Sequence, residues 1–283
     1  MSRTAEESVR CPGCGNEQPF VLWQSLNVTL DPEKKQELLE GRLTRFTCGK
    51  CGQPTEVVYR LLYHDMERRL MVWLVPPDPA GPPAEEPEDL PGPLGQDVGG
   101  PYTFRRVASR NELVEKVHVV DAGLDDGLIE ILKLMILADA PADVRRDETA
   151  VYFAGVDQDG GQDRCQFVLL GPEGQSGANV PLDEAYGQAM ADFGEPMRAA
   201  VARRGAWPVG DAELAMAVAT AGIEAKESAE GVPAAAAETV NDGSLAATPP
   251  TPTTPIVTAP VRPADRDRPP ESALPKRWWH LRE

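Results

Sequence analysis

Cys11-Pro12-Gly13-Cys14-Gly15 and Cys48-Gly49-Lys50-Cys51-Gly52 decide how this 283-residue chain is read. Each is a C-x-x-C-G unit. A tight turn brings two sulfurs to one side of the backbone. The glycine after the second cysteine lets that turn close with a positive φ. Backbone N–H groups inside such turns can donate to the sulfurs and stabilise negative charge on them. Two units facing each other offer four soft ligands, a set that favours tetrahedral zinc. Four thiolates close the coordination sphere to water and substrate, so the implied metal is structural. The 33 residues between Cys14 and Cys48 exceed the spacing of a minimal ribbon. Redox use of the pairs is the competing reading, but a C-x-x-C redox motif wants a βαβ setting and one pair. Spacing does not separate zinc from iron.

The flanks give the expected fold of this first segment, residues 10–75. Phe20-Val21-Leu22-Trp23 and Asn27-Val28-Thr29-Leu30 read as extended, being rich in β-branched and aromatic residues. Asp31-Pro32 starts a helix with Asp31 as N-cap and Pro32 at its first position. Leu38 and Leu39 give that helix an apolar side, Gly41 is its C-terminal cap, and it fills the long gap between the cysteine pairs. Leu43 to Phe46 leads into the second pair as a strand. Glu56–Tyr63 and Leu70–Val75 read as strands around the turn His64-Asp65-Met66-Glu67-Arg68. The segment is expected to be a zinc-ribbon-like β unit with an inserted helix.

Three further segments follow. Residues 76–101 hold nine of the 28 prolines and six acids with no base, and read as an extended or disordered linker. Residues 102–207 read as mixed α/β. Tyr102 to Ala108 is strand-like, and Ser109-Arg110-Asn111-Glu112 is a capping box that opens a helix from about 110 to 119. A second helix, Asp125 to Leu137, is apolar over most of its circumference and is expected at the centre of the core. Ala150–Val156 and Cys165–Leu170 read as a β-hairpin with a long loop, and a last helix spans about 182–203, broken or kinked at Pro196. Residues 208–283 read as a mostly disordered Ala/Pro-rich tail that begins with marginal helix. It holds nine more prolines in 249–275 and ends Lys276-Arg277-Trp278-Trp279-His280-Leu281-Arg282-Glu283. The fold class is therefore α+β, a zinc-ribbon-like segment joined to an α/β segment, with a disordered C-terminal tail.

Charge and hydropathy exclude several functions. The net charge is −17, which repels a polyanion over most of the surface and argues against nucleic-acid binding. Only residues 1–75 are balanced, with ten bases and ten acids. No run of about 18 apolar residues is present, and no apolar signal region follows Met1. A cytoplasmic setting is expected, where thiols stay reduced and clustered cysteines hold metal rather than disulfides.

Other candidates have simpler structural readings. His64 beside Asp65 suggests acid/base chemistry, but no nucleophile is adjacent and a hydrogen-bonding role suffices. Asp125 and Asp126 can bind a hard cation, yet they sit where a helix N-terminus is capped. Asp157-Gln158-Asp159-Gly160-Gly161-Gln162-Asp163 resembles an acidic calcium loop without the distal glutamate and flanking helices. Cys165 sits in a strand run as a small hydrophobe. Trp278 and Trp279, flanked by Lys276, Arg277 and Arg282, read either as a docking motif on a tether or as a tail that folds back in cis, with membrane-surface contact a weaker third reading because the basic stretch is short.

Taken with Ser25-Leu26-Asn27-Val28-Thr29-Leu30-Asp31-Pro32, Leu61-Leu62-Tyr63-His64-Asp65-Met66, Asn111-Glu112-Leu113 and Gly123-Leu124-Asp125-Asp126, the two cysteine units resemble the bacterial CpXC domain family, over roughly 10–200. The resemblance supports Cys11, Cys14, Cys48 and Cys51 as metal ligands and a cytoplasmic bacterial setting, and it implies no activity. Gly49 departs from it, standing where the family pattern usually has proline. The expected function is a structural-zinc protein acting as a non-enzymatic interaction module or adaptor with a protein partner. No catalytic residue is assigned. An enzyme with its active site in the α/β segment is the alternative, and a nucleic-acid-associated zinc-ribbon factor comes third.

Overall fold

The computed structural model describes residues 2–77, 102–141, 144, 148–203 and 212–230. Its described part mixes five α-helices, a π-helical turn and ten strands in three sheets. The first sheet carries the Cys11–Cys14 turn, and the Cys48–Cys51 turn belongs to a separate two-stranded sheet. Strands β1 (Arg3–Arg10) and β2 (Glu17–Asn27) form a long antiparallel hairpin. Strand β5 (Leu61–Asp65) joins β2 in parallel, and β6 (Leu70–Leu74) returns antiparallel to β5. Strand β7 (Thr103–Val107) pairs parallel with β6, Leu70 opposite Thr103 through Leu74 opposite Val107. The order is β1-β2-β5-β6-β7, so one sheet contains strands from both sides of the 76–101 segment.

Strand periodicity sorts its side chains. Leu26, Leu61, Tyr63, Leu70, Val72, Leu74 and Val107 face helices α1 (Pro32–Leu39) and α2 (Arg110–Asp121), and are buried with Leu38, Leu113 and Val117. Each such side chain contributes about 1.5–3 kcal/mol on burial. Met71, Trp73 and Val75 alternate onto the opposite face with Leu62, Tyr102 and Phe104.

Several local expectations are corrected. Asn27–Leu30 is not a strand. Strand β2 ends at Asn27, whose Oδ1 accepts from the N–H groups of Thr29 and Leu30 and holds them in a turn. Asp31 precedes α1 but makes no side-chain cap; it accepts instead from the Ser2 hydroxyl. Gly41 does terminate that helix, with φ 68°, and the N–H groups of Gly41 and Arg42 reach the carbonyls of Leu38 and Glu37. The expected strand Leu43–Phe46 narrows to β3 (Arg45–Thr47). Glu56–Tyr63 divides into the end of β4 (Pro54–Glu56) and the start of β5. The turn after β5 spans Met66–Arg69, so His64 and Asp65 lie on the strand rather than in the turn. Strand β1 escaped the sequence reading because it is a mostly exposed polar edge without apolar alternation.

The second layer is built around helix α3 (Asp126–Asp139). Leu128, Ile129, Ile131 and Leu132 are buried among Phe153, Phe167, Leu169, Met197 and Ala215, which bears out its expected central place. The capping box opening α2 forms as expected: the Ser109 hydroxyl accepts from Glu112 N–H, and Glu112 reaches back to Ala108 N–H. Strands β8 (Ala150–Asp159) and β9 (Gln162–Gly171) make the expected hairpin, but the turn is only Gly160-Gly161, not a long loop. Both glycines have positive φ, which permits a two-residue turn with continuous pairing up to it. A third strand, β10 (Gly174–Pro181), pairs with β9 and was not read from sequence, because Gly174-Gln175-Ser176-Gly177 carries no apolar alternation. Helix α4 (Gly187–Ala202) follows a π-helical turn and contains Pro196. The alanine-rich start of the tail is a packed helix, α5 (Ala212–Glu230), with Leu214, Ala215 and Val218 buried against the α3 layer. No helix of the described residues is long and apolar enough to cross a membrane.

Candidate metal centre

The four cysteines sit in two turns of identical construction. The first, Cys11–Asn16, closes the β1–β2 hairpin beyond the pair Arg10–Glu17. The second, Cys48–Gln53, closes the β3–β4 hairpin beyond the pair Thr47–Pro54. In the first, Cys11 N–H donates to Asn16 O at 2.8 Å and Gly15 N–H donates to Cys11 O at 2.9 Å. In the second, Cys48 N–H donates to Gln53 O at 3.0 Å and Gly52 N–H donates to Cys48 O at 2.8 Å. Gly15 and Gly52 have φ 69° and 73°, the left-handed region anticipated from the trailing glycines.

The hairpins bring their turns face to face. The four Sγ atoms lie within 4.8 Å of one another. The shortest approaches run between the turns, Cys11 to Cys51 and Cys14 to Cys48, each 3.6 Å. A disulfide would need about 2.05 Å, so these are separate thiols. A tetrahedron with zinc–sulfur bonds of about 2.3 Å has edges of about 3.8 Å, close to the cross-turn distances. The donor set and its spacing therefore fit a metal ion held by all four sulfurs.

Electrostatics point the same way. The backbone N–H of Cys51, directed at the Cys48 sulfur, outweighs the opposing effect of burial and brings the Cys48 thiol down to about 6. At Cys51 the Gln53 N–H pulls downward, but the Cys11 and Cys14 thiols and burial push the group to about 12. Negative charge gathered on neighbouring sulfurs is self-repelling. A divalent metal removes that repulsion and fixes all four as thiolates.

The turns rest on a small apolar base. Phe46 is buried against Phe20 in an edge-to-face contact at 6.0 Å, with Val9 and Val57 around it. Gln18 on β2 ties the second turn to the first hairpin: its Nε2 donates to Thr47 O at 3.1 Å and its Oε1 accepts from Gly49 N–H at 2.7 Å. A proline at 49 would lack that N–H, so this chain's departure from the usual proline supplies a backbone anchor instead.

The other residues singled out from sequence lie away from the sulfurs or serve the fold. His64 Nε2 is 3.3 Å from the Tyr102 hydroxyl, and burial holds the imidazole below its ordinary pKa. Asp125 caps α3, its Oδ1 accepting from Gly127 and Leu128 N–H. Asp126 does not simply complement the helix dipole. It is buried and paired with the Arg105 guanidinium at 2.6 Å and with Lys116 at 3.4 Å. Asp157, Asp159 and Asp163 lie on the paired strands of the β8–β9 hairpin. Cys165 is fully buried on β9, where burial raises its thiol to about 11. Trp278 and Trp279 lie outside the described residues.

Sequence reasoning missed a buried charge network. Lys116 on α2 donates to Glu130 on α3 at 3.0 Å, and Lys133 bridges Glu130 at 2.8 Å and Glu115 at 3.1 Å. Glu115 also accepts from Phe153 N–H of β8 at 2.7 Å. Burial disfavours the Lys116 ammonium, but Glu130 and Asp126 more than offset this and hold its pKa above the ordinary value. Burial likewise works against the Asp126 carboxylate, and Lys116 and Arg105 prevail, so it stays well below the usual range. Glu115 goes the other way, raised because burial outweighs its lysines. Part of the network, with Val107, Leu134, Val151 and Tyr152, lines a cleft of about 380 Å³. The available signal was Glu130 and Lys133 interrupting the otherwise apolar run Leu128–Ala138 at helical i, i+3 spacing.

Comparison with known families matches residues 9–133 to the CpXC protein family. No curated protein and no solved structure matches the chain. The matched region takes in both cysteine turns, the five-stranded sheet from β2 onward, α1, α2 and the first half of α3. It ends well short of the roughly 10–200 read from motifs. Residues 9–133, which hold both cysteine turns and the helices α1 and α2, thus match the CpXC protein family.

Proposed function

We propose that Cys11, Cys14, Cys48 and Cys51 bind one zinc ion as a structural centre of zinc-ribbon type, and that the chain is a cytoplasmic, non-enzymatic protein-interaction module. The observation that carries this reading is the pair of identical turns with cross-turn sulfur distances of 3.6 Å. Four protein ligands complete a tetrahedral zinc site and leave no open position for water, which is what separates structural from catalytic zinc. The metal then holds two hairpins that have little core of their own. The partner is a protein, a reading supported by the aromatic pair Trp278-Trp279 beside Lys276, Arg277 and Arg282 in the sequence.

The test starts with elemental analysis of the full chain against protein concentration. One zinc per chain, lost in Cys11→Ser or Cys48→Ser, is the expected result. Iron, or no metal, overturns it. The interaction arm is tested by co-purification with wild type and with Trp278→Ala/Trp279→Ala. A stable partner retained by wild type and released by the double variant is expected; identical sets from both chains overturn that arm.

The cleft lined by Glu115, Lys116, Glu130, Lys133 and Tyr152 favours a second reading, in which the α/β part acts on a small molecule. Thermal-shift screening separates the two. A compound that raises the melting temperature of wild type but not of Lys133→Met supports the cleft.

A further inference from the structure

The β3–β4 hairpin, which carries Cys48 and Cys51, has few attachments. On one side it meets the β1–β2 hairpin through the sulfurs, Phe46 and Gln18. On the other it meets the helices through Glu56, the last residue of β4. Glu56 Oε1 accepts from Arg110 Nε at 2.9 Å. Arg110 is the first residue of α2, and its side chain is nearly buried, at 10% exposure. The same guanidinium donates from Nη1 to the Leu38 carbonyl in the last turn of α1, at 3.3 Å. Thr44, which precedes β3, accepts from Val57 N–H and directs its hydroxyl at Glu56 Oε1. Arg110 thus joins the end of α1, the start of α2 and the base of the second cysteine turn.

Helix α2 continues the chain of contacts. Two residues beyond Arg110 comes the end of the capping box at Glu112, and then Glu115, whose carboxylate holds Phe153 N–H of β8 and Lys133 of α3. Glu115, Lys116 and Tyr152 are walls of the cleft described above. A continuous series of packed or hydrogen-bonded groups therefore runs from the Cys48 turn to the cleft.

We propose that occupancy of the four-thiol centre sets the conformation of the first half of α2 and the cleft wall, with the Glu56–Arg110 pair as the coupling element. This inference rests on the metal reading above. With metal bound, the second hairpin is fixed and Glu56 stands where Arg110 needs it. With metal removed, the hairpin loses its main anchor and Glu56 moves away. Arg110, nearly buried, is then left without its carboxylate, a costly state that α2 relieves by fraying at its N-terminus. Both end states are local and need no unfolding of the α3 layer, which has its own apolar core.

The test is hydrogen–deuterium exchange on the full chain, zinc-loaded and zinc-stripped, with metal content measured on the same samples. The expected result is faster exchange on stripping in residues 9–20 and 44–57, and additionally in 109–116 and at Phe153, by tenfold or more. Arg110→Leu should keep one zinc per chain but show the same fast exchange at 109–116 whether or not zinc is present. Glu56→Gln, a milder change that keeps an acceptor, should lie between. If zinc binds and stripping changes only 9–20 and 44–57, the coupling is wrong and the metal reading stands. If Arg110→Leu retains the zinc-dependent change at 109–116, the coupling runs through other residues and the proposal falls. If no metal binds, both readings fall together.

Discussion

The two cysteine hairpins and the α3 layer are held together by different physics. Near the sulfurs the hairpins bury few apolar side chains, chiefly Phe46 with Phe20, Val9 and Val57 against it. Strand β1 is mostly exposed, and β3 and β4 are three residues each. The α3 layer buries Leu128, Ile129, Ile131, Leu132, Phe153, Phe167 and Leu169 at its centre and adds ion pairs inside that core. One region gathers four sulfur donors that fit a metal, the other gathers apolar side chains. The difference teaches where the proposed metal would matter: the α3 layer has an apolar core of its own, and the thiol-bearing end has four clustered sulfurs in place of one.

The largest effect should come from breaking the centre. Cys48→Ser, or chelation of wild type, should remove a term on the order of 10–16 kcal/mol in apparent zinc binding. Amides of 9–20 and 44–57 should lose protection while those of 128–132 and 165–169 keep theirs. Uniform loss of protection across both regions would erase the contrast.

Next comes the charge network. Lys116→Met leaves Asp126 and Glu130 buried with one partner fewer, and should destabilise the chain by about 3–5 kcal/mol in urea titration. Its zinc content should be unchanged. A loss under 1 kcal/mol would mean the network is more hydrated than its burial indicates.

Cavity formation ranks close behind. Ile129→Ala should cost about 2–5 kcal/mol and lower the melting temperature of the α3 layer without altering metal stoichiometry. Coupled loss of zinc would show that the two regions share one cooperative unit.

A pH titration sharpens the same point. The Asp126 pKa is held below its ordinary value of about 3.9, so its stabilising contribution is present above that pH and lost as pH falls through the folded value. Lys116, raised in the fold, contributes below about 10.4 and loses that contribution as pH rises through its folded value. Wild type should therefore lose more stability below about pH 4 than Asp126→Asn does. Glu115 acts in the opposite direction because its pKa is raised, so the readout is the difference between the two chains. Parallel acid limbs would refute the pairing of Asp126 with Arg105 and Lys116.

The smallest effect belongs to the Gln18 clamp. Gln18→Ala removes acceptors and donors for Gly49 N–H and Thr47 O, worth about 0.5–1.5 kcal/mol. Zinc affinity should drop up to about tenfold with stoichiometry intact, measured by competition with a chelator.

Legibility followed locality. Both cysteine turns, the Ser109–Glu112 capping box, the Asp125 cap and the Gly41 helix end are decided within a few residues, and each forms from side chains named in the sequence. Where local patterns were ambiguous, the reading failed. Asn27–Leu30 has strand-like residues, yet the Asn27 carboxamide captures two N–H groups and turns the chain. Strands β1 and β10 have no apolar alternation because they are exposed edges. Helix α5 has weak amphipathic contrast, yet its small residues pack closely on α3 and α4.

By itself the sequence determined the turns, the caps, the four sulfur donors and the apolar identity of α3, because spacing and side-chain chemistry act over a handful of residues. Only the tertiary structure decided that the two turns face each other and that β7 completes the thiol-bearing sheet. It alone placed Arg105, Glu115, Lys116, Asp126, Glu130 and Lys133 in one network. These are contacts between residues distant in the chain, and a charge on a helix reads as solvent-facing until its partner is brought beside it.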